Sequence, residues 1–149
     1  VAQGAAVGGG SLIYANVCVD AAPNAFAQGW PPELTWEEMQ PHFARVGAML
    51  GARPVPANQR TARWRLMEDA AERAGMRARL RELPLAVSFD DDWHYGLPDA
   101  FDGRHSRPFV NAHGAVQGTC VHCGHCDIGC QVRAKNTLDV NYLAVAERH

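Results

Sequence analysis

Apolar positions along the chain fall into short periodic runs separated by proline- and glycine-rich stretches. Residues 12–19 are rich in β-branched, aromatic and aliphatic side chains and directly follow Gly8-Gly9-Gly10-Ser11, an order that predicts a tight turn entering a strand. Pro23, Pro31 and Pro32 then punctuate a linker over 20–32. Thr35 and Glu38 have capping-box spacing, and Met39, Phe43, Val46 and Leu50 recur at helical intervals. Because proline suits a helix only near its start, the main helix is predicted to begin with Pro41 in its first turn and to stop at Gly51. A second helix is predicted over 61–75, capped by Thr61 and ended by Gly75, with Trp64, Met67, Ala71 and Ala74 on one face.

Leu83, Leu85, Val87 and Phe89 alternate with Glu82, Pro84, Ala86 and Ser88, the period of a half-buried strand, and Pro84 puts it at an edge or at the strand's first residues. Residues 90–118 show little periodicity and predict a long surface loop, functional or poorly ordered. Its Asp90-Asp91-Asp92 triplet reads as a solvated turn, because it lacks the alternating spacing of a calcium loop. Leu138, Tyr142, Val145 and Ala146 predict a final helix over 137–148. The fold class is α+β.

The 149 residues suit one domain of ordinary size, able to bury roughly two-thirds of the surface its unfolded chain exposes. A formal charge of −2, with 20% charged residues, excludes both a strongly basic nucleic-acid binder and an acidic disordered tail. Apolar runs are too short for a transmembrane segment, and the start has no basic-then-apolar export pattern, so a cytoplasmic placement is expected. The start at Val1 and the unterminated helical pattern up to His149 suggest an internal fragment whose partner is the remainder of the same polypeptide.

Four of the five cysteines lie within eleven residues, as Cys120-x-x-Cys123-x-x-Cys126-x-x-x-Cys130. This is the bacterial ferredoxin spacing, in which closely spaced thiolates wrap a 4Fe-4S cluster, so these four are candidate metal ligands of an electron-transfer module. Gln131 replaces the usual following proline, and in two-cluster ferredoxins the last thiolate serves a second cluster. Cys18 is the only spare. Three other readings stand beside it: a zinc-stabilised interaction domain using Cys120 and Cys123 with His122 and His125 nearby, disulfide pairing, and a loop packed against a neighbouring cofactor domain. Gly8, Gly9 and Gly10 let backbone approach a flat or charged ligand closely, or simply form a tight turn; the stretch is neither a P-loop nor a dinucleotide fingerprint.

Two segments carry a resemblance to a known family: Val7-Gly8-Gly9-Gly10-Ser11-Leu12-Ile13-Tyr14-Ala15-Asn16 and the cysteine stretch 120–130 continuing into 134–143. Trp36 through Pro41, Phe43 and Leu50-Gly51 add to it. The chain resembles the middle section of the glucose–methanol–choline family of flavin-dependent oxidoreductases, in the branch similar to cholesterol oxidases and related long-chain alcohol oxidases. The resemblance implies an α/β FAD-binding parent fold, of which this chain is a part with a helical and loop-rich insertion from the substrate domain. Residues 1–20 would be an FAD-contacting turn and strand, 21–118 part of a substrate or cap domain, and 119–149 a cysteine loop and helix returning to the FAD domain.

The resemblance further implies that Gly8, Gly9, Gly10 and Ser11 contact FAD, with Asn136 and Thr137 as additional cofactor-binding or structural candidates. Tyr14 stands where many family members carry asparagine, which leaves Asn16 as the candidate for a polar contact there. It also implies oxidation of a small-molecule alcohol, such as a sterol or another bulky apolar alcohol, by hydride transfer to the flavin, and it favours reading the cysteine loop as a packing or disulfide-capable feature without a cluster. The family's dinucleotide fingerprint and catalytic histidine pair have no counterpart in this sequence. No catalytic residue is assigned within it.

Overall fold

The computed structural model describes residues 4–27 and 29–149. Val1, Ala2 and Gln3 of the first expected region, and Gln28 of the second, lie outside the described residues. Among the described residues, three α-helices, several 3-10 turns and one two-stranded antiparallel sheet make a mixed α and β architecture.

Helix α1 spans Trp36–Met49, and Thr35 Oγ1 accepts the Glu38 N–H at 3.2 Å. It therefore starts earlier than the proline rule predicted, and Pro41 lies inside it. Pro41 removes one ladder bond, which the Thr35 cap and the acidic Glu37 and Glu38 at the positive helix end offset. Gly51, at φ 55°, ends it as expected. Helix α2 spans Ala62–Arg73 with Thr61 Oγ1 accepting the Trp64 N–H at 3.1 Å and Gly75 at φ 66° beyond its end, matching the sequence reading.

The expected strand over 12–19 does not form. Gly9–Leu12 make a 3-10 turn, and the region's one isolated bridge pairs Val17 with Leu85. Gly8 and Gly9 close the turn at φ 103° and 53°, and Asn16 at φ 60° breaks the extended run, a conformation asparagine tolerates better than most residues. The expected strand at 83–89 is likewise only an extended hub. It bridges Arg53 along one edge through Leu85, and along the other it meets 16–18 and then Lys135 through Val87. Flanked on both edges, Ala86 and Val87 are buried, while Leu83 is largely exposed.

Residues 90–118 are more ordered than their sequence suggested. Strand β1, Phe109–Val110, pairs with β2, Val116–Gln117, and Trp93 is only 2% exposed, its Nε1–H donating to Ala100 O at 2.9 Å. The acidic triplet is divided: Asp90 is buried and ion-paired with Arg107, whereas Asp91 and Asp92 face solvent. The expected final helix is split by Asn141, at φ −132° and ψ −88°, into a 3-10 turn over Leu138–Val140 and helix α3, Tyr142–Ala146. Asn141 Oδ1 accepts the Tyr142 N–H at 2.6 Å and so caps α3.

The core forms two small clusters. One holds Val87, Phe89 and Ala134, with Cys120 and Cys130 packed against it; the other holds Trp93, Ala100 and Val121, with Cys123 against it. The cysteine loop therefore runs between them.

Candidate functional site

Between these clusters lies a cavity of about 410 Å³ whose wall includes Cys120, Cys123, Cys126 and Cys130. Val87 and Phe89 of the extended hub and Tyr95 and Phe101 of the 90–118 region supply much of its apolar wall. The loop bends around the cavity through left-handed backbone at His122, Gly124, Gly129 and Arg133. All five cysteines are free thiols.

Two polar side chains tie the glycine-rich turn to this loop. Lys135 is 2% exposed, and its ammonium donates to Leu12 O at 2.8 Å, Tyr14 O at 3.0 Å and Cys126 O at 2.6 Å, with the Tyr14 ring centroid 5.1 Å away. Asn16, also buried, donates from Nδ2 to Cys126 Sγ at 2.9 Å, and its Oδ1 has no hydrogen-bond partner. The two segments expected to lie together thus do so, across more than a hundred residues of sequence.

Burial dominates the electrostatics. It pushes the Cys120 thiol up to about 12 and raises Cys126, although Asn16 and Lys135 both act to lower the latter. Burial also pushes the Tyr14 phenol up to about 12 and holds Lys135 below the ordinary lysine value, with the Cys126 and Cys130 sulfurs acting in the opposite sense. The Cys120 and Cys126 thiols therefore keep their protons at neutral pH and are poor nucleophiles. Burial lowers His122, so its imidazole is neutral at neutral pH. It meets Gln59 Oε1 through Nε2 at 2.8 Å and packs on Trp93 with ring centroids 4.2 Å apart.

Among the described residues, no three His, Cys, Asp or Glu side chains converge on a single-ion position. The zinc reading therefore lacks a site, and the His122 ring it would use is engaged with Gln59.

The residues expected at FAD divide into two groups. Gly9 and Gly10 are open: a Cβ on either would meet nothing within 4 Å. The side chains of Ser11, Asn136 and Thr137 are spent within the chain. Ser11 Oγ donates to Gly8 O at 2.6 Å and accepts the Leu138 N–H at 2.9 Å. Asn136 accepts from Ser88 Oγ and Gln117 Nε2 and donates to Leu50 O, and Thr137 Oγ1 donates to Asp139 Oδ1. Backbone at Gly9 and Gly10, with the unpaired Oδ1 of Asn16, is what remains to meet a flat ligand; Gly8, expected there too, is buried among Asp139, Leu12 and Ser11 and shapes the turn instead.

Sequence reasoning passed over Lys135, Trp93 and the His122–Gln59 contact. A signal for the first was present: Lys135 is the one lysine among fourteen basic residues.

No family model matches the chain, and no solved structure matches it. Among curated proteins it is similar to a cholesterol oxidase of Acinetobacter baumannii, 33% identical across 98% of this chain and 25% of that protein. It is equally similar to cholesterol oxidases from two strains of Mycobacterium tuberculosis, 33% identical across 99% of the chain and 25% of those proteins. The chain thus spans about a quarter of the length of the curated relatives it matches. That match covers the glycine turn, the cysteine loop and Lys135, and over this span the chain is similar to the cholesterol-oxidase-like branch of the glucose–methanol–choline family.

Proposed function

We propose that the protein carrying these residues is an FAD-dependent oxidoreductase that converts the CH–OH group of an alcohol to a carbonyl. The bulky apolar alcohols, sterols included, are its proposed substrate class. FAD, when bound, supplies the acceptor for the hydride that leaves the carbinol carbon, while the hydroxyl proton goes to a base. The observation that carries this reading is the open glycine turn held against the cysteine loop by Lys135, in a chain that matches cholesterol oxidases along almost all of its length.

In this reading the chain's own residues bind and orient rather than catalyse. The backbone of Gly9 and Gly10 approaches the flavin without side-chain obstruction, and Gly8, at φ 103°, sets the turn that presents them. Ser11 holds the turn to Leu138, and Asn136 and Thr137 stiffen the segment that returns to it. Asn16 presents a buried, unpaired Oδ1 beside the turn, a side-chain candidate for a polar contact. Residues 1–20 and 119–149 form the cofactor-facing part, and 21–118 contribute to the cover over the substrate, whose apolar wall excludes water from the transfer. The apolar side chains left exposed, including Leu66 and Met67 of α2 and Ile128, pack against the remainder of the same polypeptide.

Gly10→Val tests the cofactor contact. Gly10 has ordinary backbone angles, and its Cβ position is empty, so the substitution clashes with nothing in this chain. FAD content of the purified enzyme should fall about tenfold, the equivalent of about 1.4 kcal/mol, while thermal stability of the flavin-free form stays unchanged. Gly47→Ala, at an equally open position on α1, serves as the control and should retain flavin. Full occupancy in Gly10→Val would reject the contact.

A further inference from the structure

We infer that Cys120, Cys123, Cys126 and Cys130 bind an iron–sulfur cluster in the cavity they line. Spacing alone left the fourth cysteine unexplained, because in two-cluster ferredoxins the last thiolate of such a run leaves for another cluster. Here Cys130 lines the same cavity as the other three, so one chain segment supplies a complete four-thiolate set.

Three further features fit a cluster. Three of the sulfurs accept N–H hydrogen bonds: Cys120 from His122 N at 3.3 Å, Cys130 from Ala134 N at 3.2 Å, and Cys126 from Asn16 Nδ2 at 2.9 Å. Donors aimed at sulfur stabilise bound thiolates and tune the potential of such a centre. The buried ammonium of Lys135 has only backbone carbonyls as hydrogen-bond acceptors, an expensive arrangement for a charge unless an anion lies near. A cluster held by four thiolates is that anion. Finally, the wall around the four thiols is largely apolar, with Val87, Phe89, Val121 and Ala134 among its residues. Such a shell limits solvent access, which tunes the potential of a bound centre. Assembly takes up two ferric ions, two ferrous ions and four sulfides and releases the four thiol protons to solvent, so no electron is gained or lost in forming the centre.

The test uses the complete enzyme purified without oxygen, with iron, acid-labile sulfide, zinc and flavin measured on the same sample. About four iron and four sulfide per chain are expected, with an electron paramagnetic resonance signal after dithionite reduction and a matching Mössbauer spectrum of the wild-type protein. Cys18→Ser should keep the iron, and Cys123→Ser and Cys130→Ser should each lose at least half of it. Zinc as the bound metal, or no iron after oxygen-free reconstitution with ferric and ferrous iron and sulfide, would overturn the assignment, as would iron retained in both loop variants. Flavin present without iron defeats this inference and leaves the proposed oxidoreductase standing; iron present without flavin does the reverse.

Discussion

Replacing Lys135 with methionine keeps most of the side chain's volume and removes its charge. The native ammonium is 2% exposed and joins three carbonyls that belong to two distant segments. Hydrogen bonds to a charged group contribute about 1.5–3 kcal/mol each, and each buried carbonyl left unpaired costs about 1–3 kcal/mol. Against this, burial penalises the ammonium itself and holds its pKa below the ordinary lysine value, so methionine recovers part of the loss. The net expectation is about 3–5 kcal/mol, the range for breaking a buried charged contact. With a urea slope of about 1–3 kcal/mol per molar, the unfolding midpoint should drop by at least about 1 M. Equilibrium urea unfolding followed by tryptophan fluorescence measures this, with exposed Arg65→Met as a control expected to stay within about 0.5 kcal/mol. Lys135→Arg should not restore stability, because a planar fork cannot reproduce three contacts shaped for a compact ammonium. A loss below about 1 kcal/mol for Lys135→Met would refute the claim that this residue fastens the turn to the loop.

Gly118→Ala should destabilise by about 1–3 kcal/mol, since the new Cβ would overlap Ser106 Oγ and the Val132 carbonyl; a thermal melt unchanged from wild type would refute that packing. Trp93→Ala should cost about 3–5 kcal/mol in chemical denaturation, because the indole is buried and its N–H satisfies Ala100 O. Burial raises the Cys18 thiol, so its folded pKa exceeds its unfolded one. The folded state then binds more protons between those values, and the stability from this group falls as pH rises through that alkaline window. Residue-resolved alkylation should accordingly show Cys18 reacting more slowly at pH 8.5 than an unhindered peptide thiol, and an equal rate would count against the burial.

Helix boundaries were legible where a cap sets them locally. Thr61 and Gly75 bracket α2 as their residue types demand, and Thr35 with Glu38 starts α1 despite Pro41, the stronger-looking signal. The strands misled because alternation records which faces are apolar but not whether a partner runs alongside. Leu85 and Val87 meet three different segments, each for only a residue or two, so bridges form where a ladder was expected. Trp93 was hidden because a lone aromatic in an aperiodic stretch carries no period to read, though the fold buries it almost completely.

Of the candidate site, the cysteine spacing and the bare glycine backbone stood in the residue order, since both depend on neighbours only a few positions apart. That four thiols share one cavity, that the lone lysine is buried beneath them, and that Ser11, Asn136 and Thr137 spend their polar atoms within the chain are consequences of folding. Local chemistry acts over a turn or two of backbone. Burial and long-range hydrogen bonds arise only when segments more than a hundred residues apart compete for the same space, and that competition has no trace in spacing.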